Sequence, residues 1–541
     1  MAKGLEKFEL IINYIVLPYI YIMTDQVKTG GGAVDVIEQY WKIDEPNYYR
    51  NVGTDNSEYI KLYQQGGFTP SDSPAQQDWT FRMSDLNSYY LMAQSFFQFD
   101  FSLNDGGVGD VTTKNLIYPS DMRCLFKSVQ LDLNSVAVEA NNQNYWMFAN
   151  VDRAFQSRQW VETAGSLGGQ FLTDTRFDNP AYLGPYANQD FALTNDVLGA
   201  PADATALKAQ IGYDGDYARL QTYAKKRALL SFKAASNTSS RCNLRVDMPS
   251  IFQFYRYWTR VHKGIDVQCR FTTVGDGGFI TNRRRVDVGG TGARAAGDYS
   301  MKWEGSGLTW WCKTLKPSPR VEIKLNSMLQ RGQEIMCPFE SVKCYNFTPT
   351  NGSSSFRIVN ESSRPTRMIV AFQRKSVLTT TDDISVLQMP EGMTTMSASV
   401  NGKKVPNIDI QMVCPTTLPH QGYVVDGGTG KKVNQQSSFD LSEPYMRYLL
   451  LTGTYNSAFK SNFSRGSGSL SYVDWVSTSP FVSFDLSNNA IGDISGSNSE
   501  ITLNYNVAND DITDYIMYAI LYTERTVSLN LAEASTYIAI R

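Results

Sequence analysis

The chain has 541 residues, enough for two large domains of the 200 to 250 residues common in all-β proteins. Domains of that size bury a sizeable core without disulfide staples, roughly 70–75% of the unfolded surface. Charged residues are 19% and the formal charge is -3, which argues against nucleic-acid binding by the whole chain but leaves room for a local basic face. Aromatics at 12%, with 31 Tyr and 40 Gly, give the profile of strands joined by many turns.

At the N-terminus, Ile11 to Met23 is uncharged and apolar, but it falls short of the ~18 residues of a membrane span and contains Pro18. Lys3 and Lys7 alternate with Glu6 and Glu9, and no small-residue cleavage site follows, so a signal peptide fits poorly. We read residues 8–23 as an arm that packs on a neighbouring subunit, or as an upstream extension with the natural start at Met23. Residues 35–80 show no clear period and read as an extended lead-in.

Leu91 to Leu103 is rich in Phe and alternates loosely. In Ser128 to Asn134 (SVQLDLN), Val129, Leu131 and Leu133 point one way and Gln130 and Asp132 the other, which predicts a strand with one buried and one wet face. Residues 141–240 form an excursion too long for an ordinary connection, with helical patches expected at Tyr145 to Arg158 and Tyr217 to Phe232. Alternation returns at Gly264 to Thr272, where Ile265, Val267, Cys269 and Phe271 share a face. A polar segment, Asp276 to Asp298, separates it from the strand-like Leu308 to Lys313. Pro317 marks the expected boundary.

Val321, Ile323 and Leu325 open a second series, continued by Phe356 to Val359 and by Ile408, Ile410 and Met412. Between these, RPTRMIVAFQ (Arg364 to Gln373) holds five uninterrupted apolar or small residues; such a run also fits a piece of core helix, but its length, flanking turn residues and β-branched Ile369 and Val370 favour a buried strand. A helix follows, with Ser442 as its expected cap, Pro444 in its first turn and Tyr445, Met446, Tyr448 and Leu449 as its apolar face. Phe481 to Leu486, Ile501 to Val507, Ile516 to Leu521 and Val527 to Leu531 close the chain as strands. The fold class is therefore all-β: two consecutive eight-stranded jelly rolls, with helices and long insertions in the loops. The expected division is an N-terminal arm and lead-in over 1–79, a first jelly roll over 80–315 and a second over 316–541.

No constellation carries catalysis, and we assign no catalytic, cofactor or metal residues. The two histidines, His262 and His420, have no partner at metal-ligand spacing. GSGSL at Gly466 to Leu470 is not a nucleophile elbow. DGGTGKK at Asp426 to Lys432 fails as a phosphate loop, because Lys432 stands where Ser or Thr should be; a Gly-rich hairpin or exposed loop is the better account. Asp510, Asp511 and Asp514 could hold calcium, although oxygen-rich turns are usually just turns. Arg283, Arg284 and Arg285, with Arg294 near, are the densest positive cluster; a solvated loop is the plain reading, and contact with packaged nucleic acid or an acidic neighbour the sharper one. Lys225, Lys226 and Arg227 read as the polar side of an amphipathic helix. The seven cysteines include no CxxC and suggest a reduced, intracellular folding compartment, against which the five sequons, at Asn237, Asn346, Asn351, Asn360 and Asn462, weigh little.

The ordered set of LFKSVQLDLNSVAVE (Leu125 to Glu139), MPSIFQFYRYWTRVHKGIDVQCRF (Met248 to Phe271), RPTRMIVAFQ, VPNIDIQMV (Val405 to Val413), FVSFDLSNN and IMYAILYTERTVSLN resembles the double jelly-roll major capsid proteins of polintons, adintoviruses, virophages and polinton-like viruses, distant relatives of the adenovirus hexon. The resemblance spans most of residues 80–530. It departs at the apolar N-terminus and in the long first-half excursion. It implies a non-enzymatic virion protein folded and assembled inside the host cell. Three chains would make a pseudo-hexagonal capsomer, and capsomers would tile an icosahedral shell around double-stranded DNA. The implied partners are two further copies, neighbouring capsomers and a single jelly-roll penton protein at the vertices, with no small-molecule substrate or cofactor. The long loops, Asn141 to Ser240 and Gly422 to Gln436, would form the outer tower and intersubunit contacts. A β-sandwich carbohydrate- or receptor-binding protein is the alternative, and a carbohydrate-active enzyme with two converging carboxylates the third reading.

Overall fold

The computed structural model describes residues 54–66, 77–105 except 86, 116–156 except 120 and 142, 160, 165–168, 232–233, 240–273 except 259–260, 281–282, 299–317, 334–375 except 361–363, 387–413 except 391, 423–425, 432–434, 440–452, 470, 472, 475–476, 479–486, and 499–540 except 509 and 531–536. The N-terminal residues 8–23, the basic clusters at Arg283–Arg285 and Lys225–Arg227, residues 217–231 of the expected helical patch and the Val321 to Leu325 run lie outside them, and Phe232, at the end of that patch, falls in a two-residue strand with Lys233.

Sixteen strands build the frame. In the first half they are β1 (Thr54–Leu62), β2 (Asp78–Met83), β3 (Phe96–Asp105), β4 (Phe126–Leu133), β5 (Val136–Asn141), β6 (Ser240–Asp247), β7 (Val267–Thr273) and β8 (Tyr299–Pro317). The second half holds β9 (Glu334–Phe347), β10 (Gly352–Asn360), β11 (Arg364–Arg374), β12 (Met393–Val400), β13 (Lys403–Gln411), β14 (Phe481–Asp485), β15 (Ser499–Val507) and β16 (Tyr515–Asn530). The first half pairs them antiparallel as β1–β8–β3–β6 and β2–β7–β4–β5; the second as β9–β16–β11–β14 and β10–β15–β12–β13. Adding eight to each strand number of the first half gives the second. Each half is thus an eight-stranded jelly roll, and the chain is a double jelly roll.

The frame corrects the sequence reading in several places. The lead-in contains β1, an edge strand whose half-exposed residues give no clean alternation. β8 runs for 19 residues because Gly305 (φ 54°) and Gly307 (φ 63°) adopt left-handed backbone at a register shift between Trp303 and Leu308. Ile516 to Leu521 and Val527 to Leu531 begin as one 16-residue strand. Asp132 is not wet: it is buried, with Arg270 Nη2 at 3.1 Å from Oδ2 and Gln130 Nε2 donating to Oδ1 at 2.7 Å. Ile408 does not join Ile410 in the core. Pairing jumps from Met396↔Ile410 to Ala398↔Val405, so residues 406–409 bulge outward and leave Ile408 76% exposed.

The central strand β11 matches its sequence signature. Met368, Ile369, Val370, Ala371 and Phe372 are all fully buried, between β16 on one side and β14 on the other. In β16 the residues from Met517 to Thr523 are likewise all buried. A strand that is apolar on both faces needs cover on both, one from the opposing sheet and one from outside the jelly roll. The first half supplies the outer cover.

Candidate functional site

The cover is a helix, α1 (Tyr145–Phe155), in the connection between β5 and β6. Its sequence has no Gly or Pro, and every residue from Tyr145 to Ala154 is buried. A helix buried all round must pack on two sides. Towards its own half, the Tyr145 ring meets Phe126 at 6.5 Å. Towards the second half, Trp146 sits edge-on to Tyr518 at 5.3 Å, Phe148 to Tyr522 at 6.4 Å, and Phe155 stacks on Phe481 at 5.6 Å. The second helix, α2 (Ser442–Leu451), lies between β13 and β14 and closes this seam: the Tyr448 ring is edge-on to Phe155 at 5.5 Å. Ser442 is not its cap. Leu441 occupies that position, and Asp440 Oδ1 accepts from the Ser442 amide at 2.8 Å.

A buried ion network fixes α1. Arg123, fully buried in the turn before β4, donates from Nη2 to Asp121 Oδ2 at 2.8 Å and from Nη1 to Asp152 Oδ2 at 2.6 Å. Arg256 adds two bonds to the Asp152 carboxylate, each 2.7 Å. Two carboxylates thus face two guanidiniums, so no charge is left uncompensated. Burial would raise the Asp152 pKa, but Arg256 and Arg123 outweigh it and hold the carboxyl well below the usual range. Glu139, in β5, accepts from the amides of Gln253 (3.1 Å) and Phe254. Burial pushes its pKa up to about 7, against the pull of those amides and of Arg256 and Arg525. Across the seam, Glu340 of β9 accepts from Arg367 Nη2 at 2.9 Å, from the Thr366 hydroxyl at 3.0 Å and from the Tyr257 hydroxyl at 3.4 Å. The Arg367 guanidinium lies 4.0 Å from the Tyr522 ring centroid and 5.3 Å from that of Phe155.

This arrangement is suited to rigidity and not to turnover. Its carboxylates are locked by cations or amides. His262 is buried, stacked on Trp258 at 5.4 Å, and burial depresses its pKa to about 3, so it packs as a neutral ring. Among the described residues no group of three His, Cys, Asp or Glu could hold a metal ion. Asp510–Asp514 forms a short 3-10 turn between β15 and β16. Tyr423–Val425 and Lys432–Asn434 pair antiparallel with Val425 opposite Lys432, while residues 426–431 of the Gly-rich segment lie outside the described residues. Cys124, Cys269, Cys312, Cys337 and Cys344 are buried. An open trough of about 350 Å³ on the β10–β15–β12–β13 sheet is lined by Ser353, Ser355, Asn504, Asn506 and Ser397, with Asp409 as its one carboxylate. A second carboxylate, needed for sugar hydrolysis, is absent from its lining. His420 and Gly466 to Ser469 lie outside the described residues. The seam itself went unassigned in the sequence; the clue was the pair of double-faced apolar strands.

No protein-family model and no curated protein matches the chain. Solved structures do. A chain of the Sputnik virophage structure, determined by cryo-EM at 3.5 Å, superposes with a TM-score of 0.50 at 10% identity, covering 97% of this chain and 94% of that one. The mavirus major capsid protein gives 0.43 at 10% identity, with 97% and 95% covered. PBCV-1 VP54, fitted into a Sputnik reconstruction, gives 0.42 at 9% identity, with 90% and 97% covered. At 10% identity the likeness to the Sputnik chain is one of fold, over nearly the full length of both chains.

Proposed function

We propose that this chain is a major capsid protein that self-associates into trimeric, pseudo-hexagonal capsomers and tiles an icosahedral shell around double-stranded DNA, in the lineage of polintons, adintoviruses and virophages. The observation that carries this reading is the seam: two topologically identical jelly rolls locked side by side by α1 into a rigid building block. The near full-length likeness to the virophage chain supports it. In this reading the two jelly rolls divide just after Pro317, the first taking in β1 (Thr54–Leu62) and so beginning ahead of the residue 80 expected from the sequence, and the protein resides in the virion. It acts without substrate or cofactor. Neighbouring capsomers and a single jelly-roll vertex protein are its further partners, and Arg283, Arg284 and Arg285 make a weak contact with the packaged DNA.

The test is the mass of the purified chain by light scattering, then electron microscopy of the same sample. A stable trimer with a hexagonal outline is expected. A chain that stays monomeric at high concentration would overturn the reading. Changing Arg283, Arg284 and Arg285 together to Ala should leave the trimer intact.

A further inference from the structure

Each half repeats the same strands, yet only one of two equivalent contacts is made within the chain. α1, between the fifth and sixth strands of the first half, lies on the outer face of β9–β16–β11–β14. α2 holds the same place in the second half, between β13 and β14. The face equivalent to the covered one, the outer face of β1–β8–β3–β6, still presents Tyr59 at 44% exposure.

That face carries the same chemistry as its covered counterpart, where a guanidinium lies over the Tyr522 and Phe155 rings. Phe96 stacks on Trp311 at 5.9 Å, and Tyr59 tilts against Phe96 at 5.5 Å. Arg245 lies 5.1 Å above Phe96, Lys61 5.5 Å from Trp311 and Lys313 5.5 Å from Tyr59. The result is an aromatic, cationic surface. α2 presents an apolar side to match: Met446 and Leu450, one turn apart, are 37% and 49% exposed, and beside them Arg447 is already paired with Glu443 at 2.8 Å, which leaves the two apolar side chains to make the contact. Apolar side chains would meet the rings of a face equivalent to the one α1 covers within the chain.

We infer that α2 of one copy docks, through Met446 and Leu450, on the outer face of β1–β8–β3–β6 of a second copy, repeating between chains the contact that α1 makes within one. The inference rests on the self-association proposed above and names the surfaces that carry it. The two surfaces differ, so the contact is head-to-tail, and in the proposed trimer a threefold rotation closes it as a ring. Three copies would then alternate six jelly rolls joined by one kind of helix-on-sheet contact.

The test uses the full chain with Met446→Glu and Leu450→Glu together, read by light scattering, with circular dichroism as the check on folding. The expected result is a trimer for the unaltered chain and a monomer, a threefold loss of mass, for the folded variant. A variant that remains trimeric overturns the inference and leaves the capsomer reading standing. An unaltered chain that is monomeric overturns both. Should the variant not fold, a second arm decides. Leu450→Cys and Tyr59→Cys chains are mixed and treated with a short bis-maleimide, beside each alone and the unaltered chain. A cross-linked dimer specific to the mixture supports the contact, and its absence overturns it.

Discussion

The Tyr448 hydroxyl donates to the backbone carbonyl of Ala154 at 2.6 Å, tying the helix of the second jelly roll to the last turn of the helix of the first across 294 positions of sequence. Both groups are buried, so water does not compete for the bond. Tyr448→Phe keeps the ring contacts with Phe155, Trp475 and Phe481 and deletes only the donor. A loss of about 0.5–1.5 kcal/mol in unfolding free energy is expected by urea titration. A loss within error would mean that ring packing alone holds this end of the seam.

Arg123 should matter far more. Its removal leaves Asp121 without its buried guanidinium and strips one of two cations from Asp152. Arg123→Met is expected to cost on the order of 3–5 kcal/mol, the range for breaking a buried ion pair on one side. The control is Arg357→Met, whose partner Glu500 is 2.8 Å away but exposed like Arg357 itself. There the expected change is below about 1 kcal/mol. Equal effects in the two variants would refute the weight given to burial.

Glu139 links stability to pH near neutrality. Its pKa rises on folding from an ordinary value near 4.5 to about 7, so between those values the folded state binds more protons than the unfolded state. The contribution is fully present below the unfolded pKa and is lost as pH rises through 7. Stability should therefore carry a component that falls by up to about 1.4 kcal/mol per unit between about pH 5 and pH 7. Glu139→Gln removes the titrating group. Urea titrations at several pH values should show a flatter profile for the variant; parallel profiles would rule Glu139 out as the source.

Much of the frame was legible because strand burial writes itself into residue order. Ile265, Val267, Cys269 and Phe271 alternate and share one buried face, while Met368 to Phe372 is uninterrupted because both faces of β11 are covered. What covered the second face was not legible. α1 contacts Tyr518 and Tyr522 some 370 positions away, and YWMFANVDRAF on its own says only that a helix is apolar. Ile408 misled for a similar reason: the period of two holds only while pairing is regular, and a bulge interrupts it there. Asp132 looked wet because its neutralising Arg270 lies on another strand.

The turn at Gly165–Gly168 packs along β6, the outermost strand of its sheet, and offers a last test. A Cβ built on Gly168 would sit 2.8 Å from Val246 Cγ2 and 3.0 Å from the Arg245 carbonyl oxygen. Neither can yield cheaply, since Val246 is buried and the carbonyl belongs to a strand backbone. Gly168→Ala should push the turn off the strand and cost about 1–3 kcal/mol. The loss should be local: amides of β6 are expected to exchange faster with deuterium than in the parent, because an edge strand relies on such cover. Amides of β11, enclosed on both sides in the other half, should keep their protection. Unchanged exchange in β6 would show that the turn accommodates the methyl group and does not shield the edge.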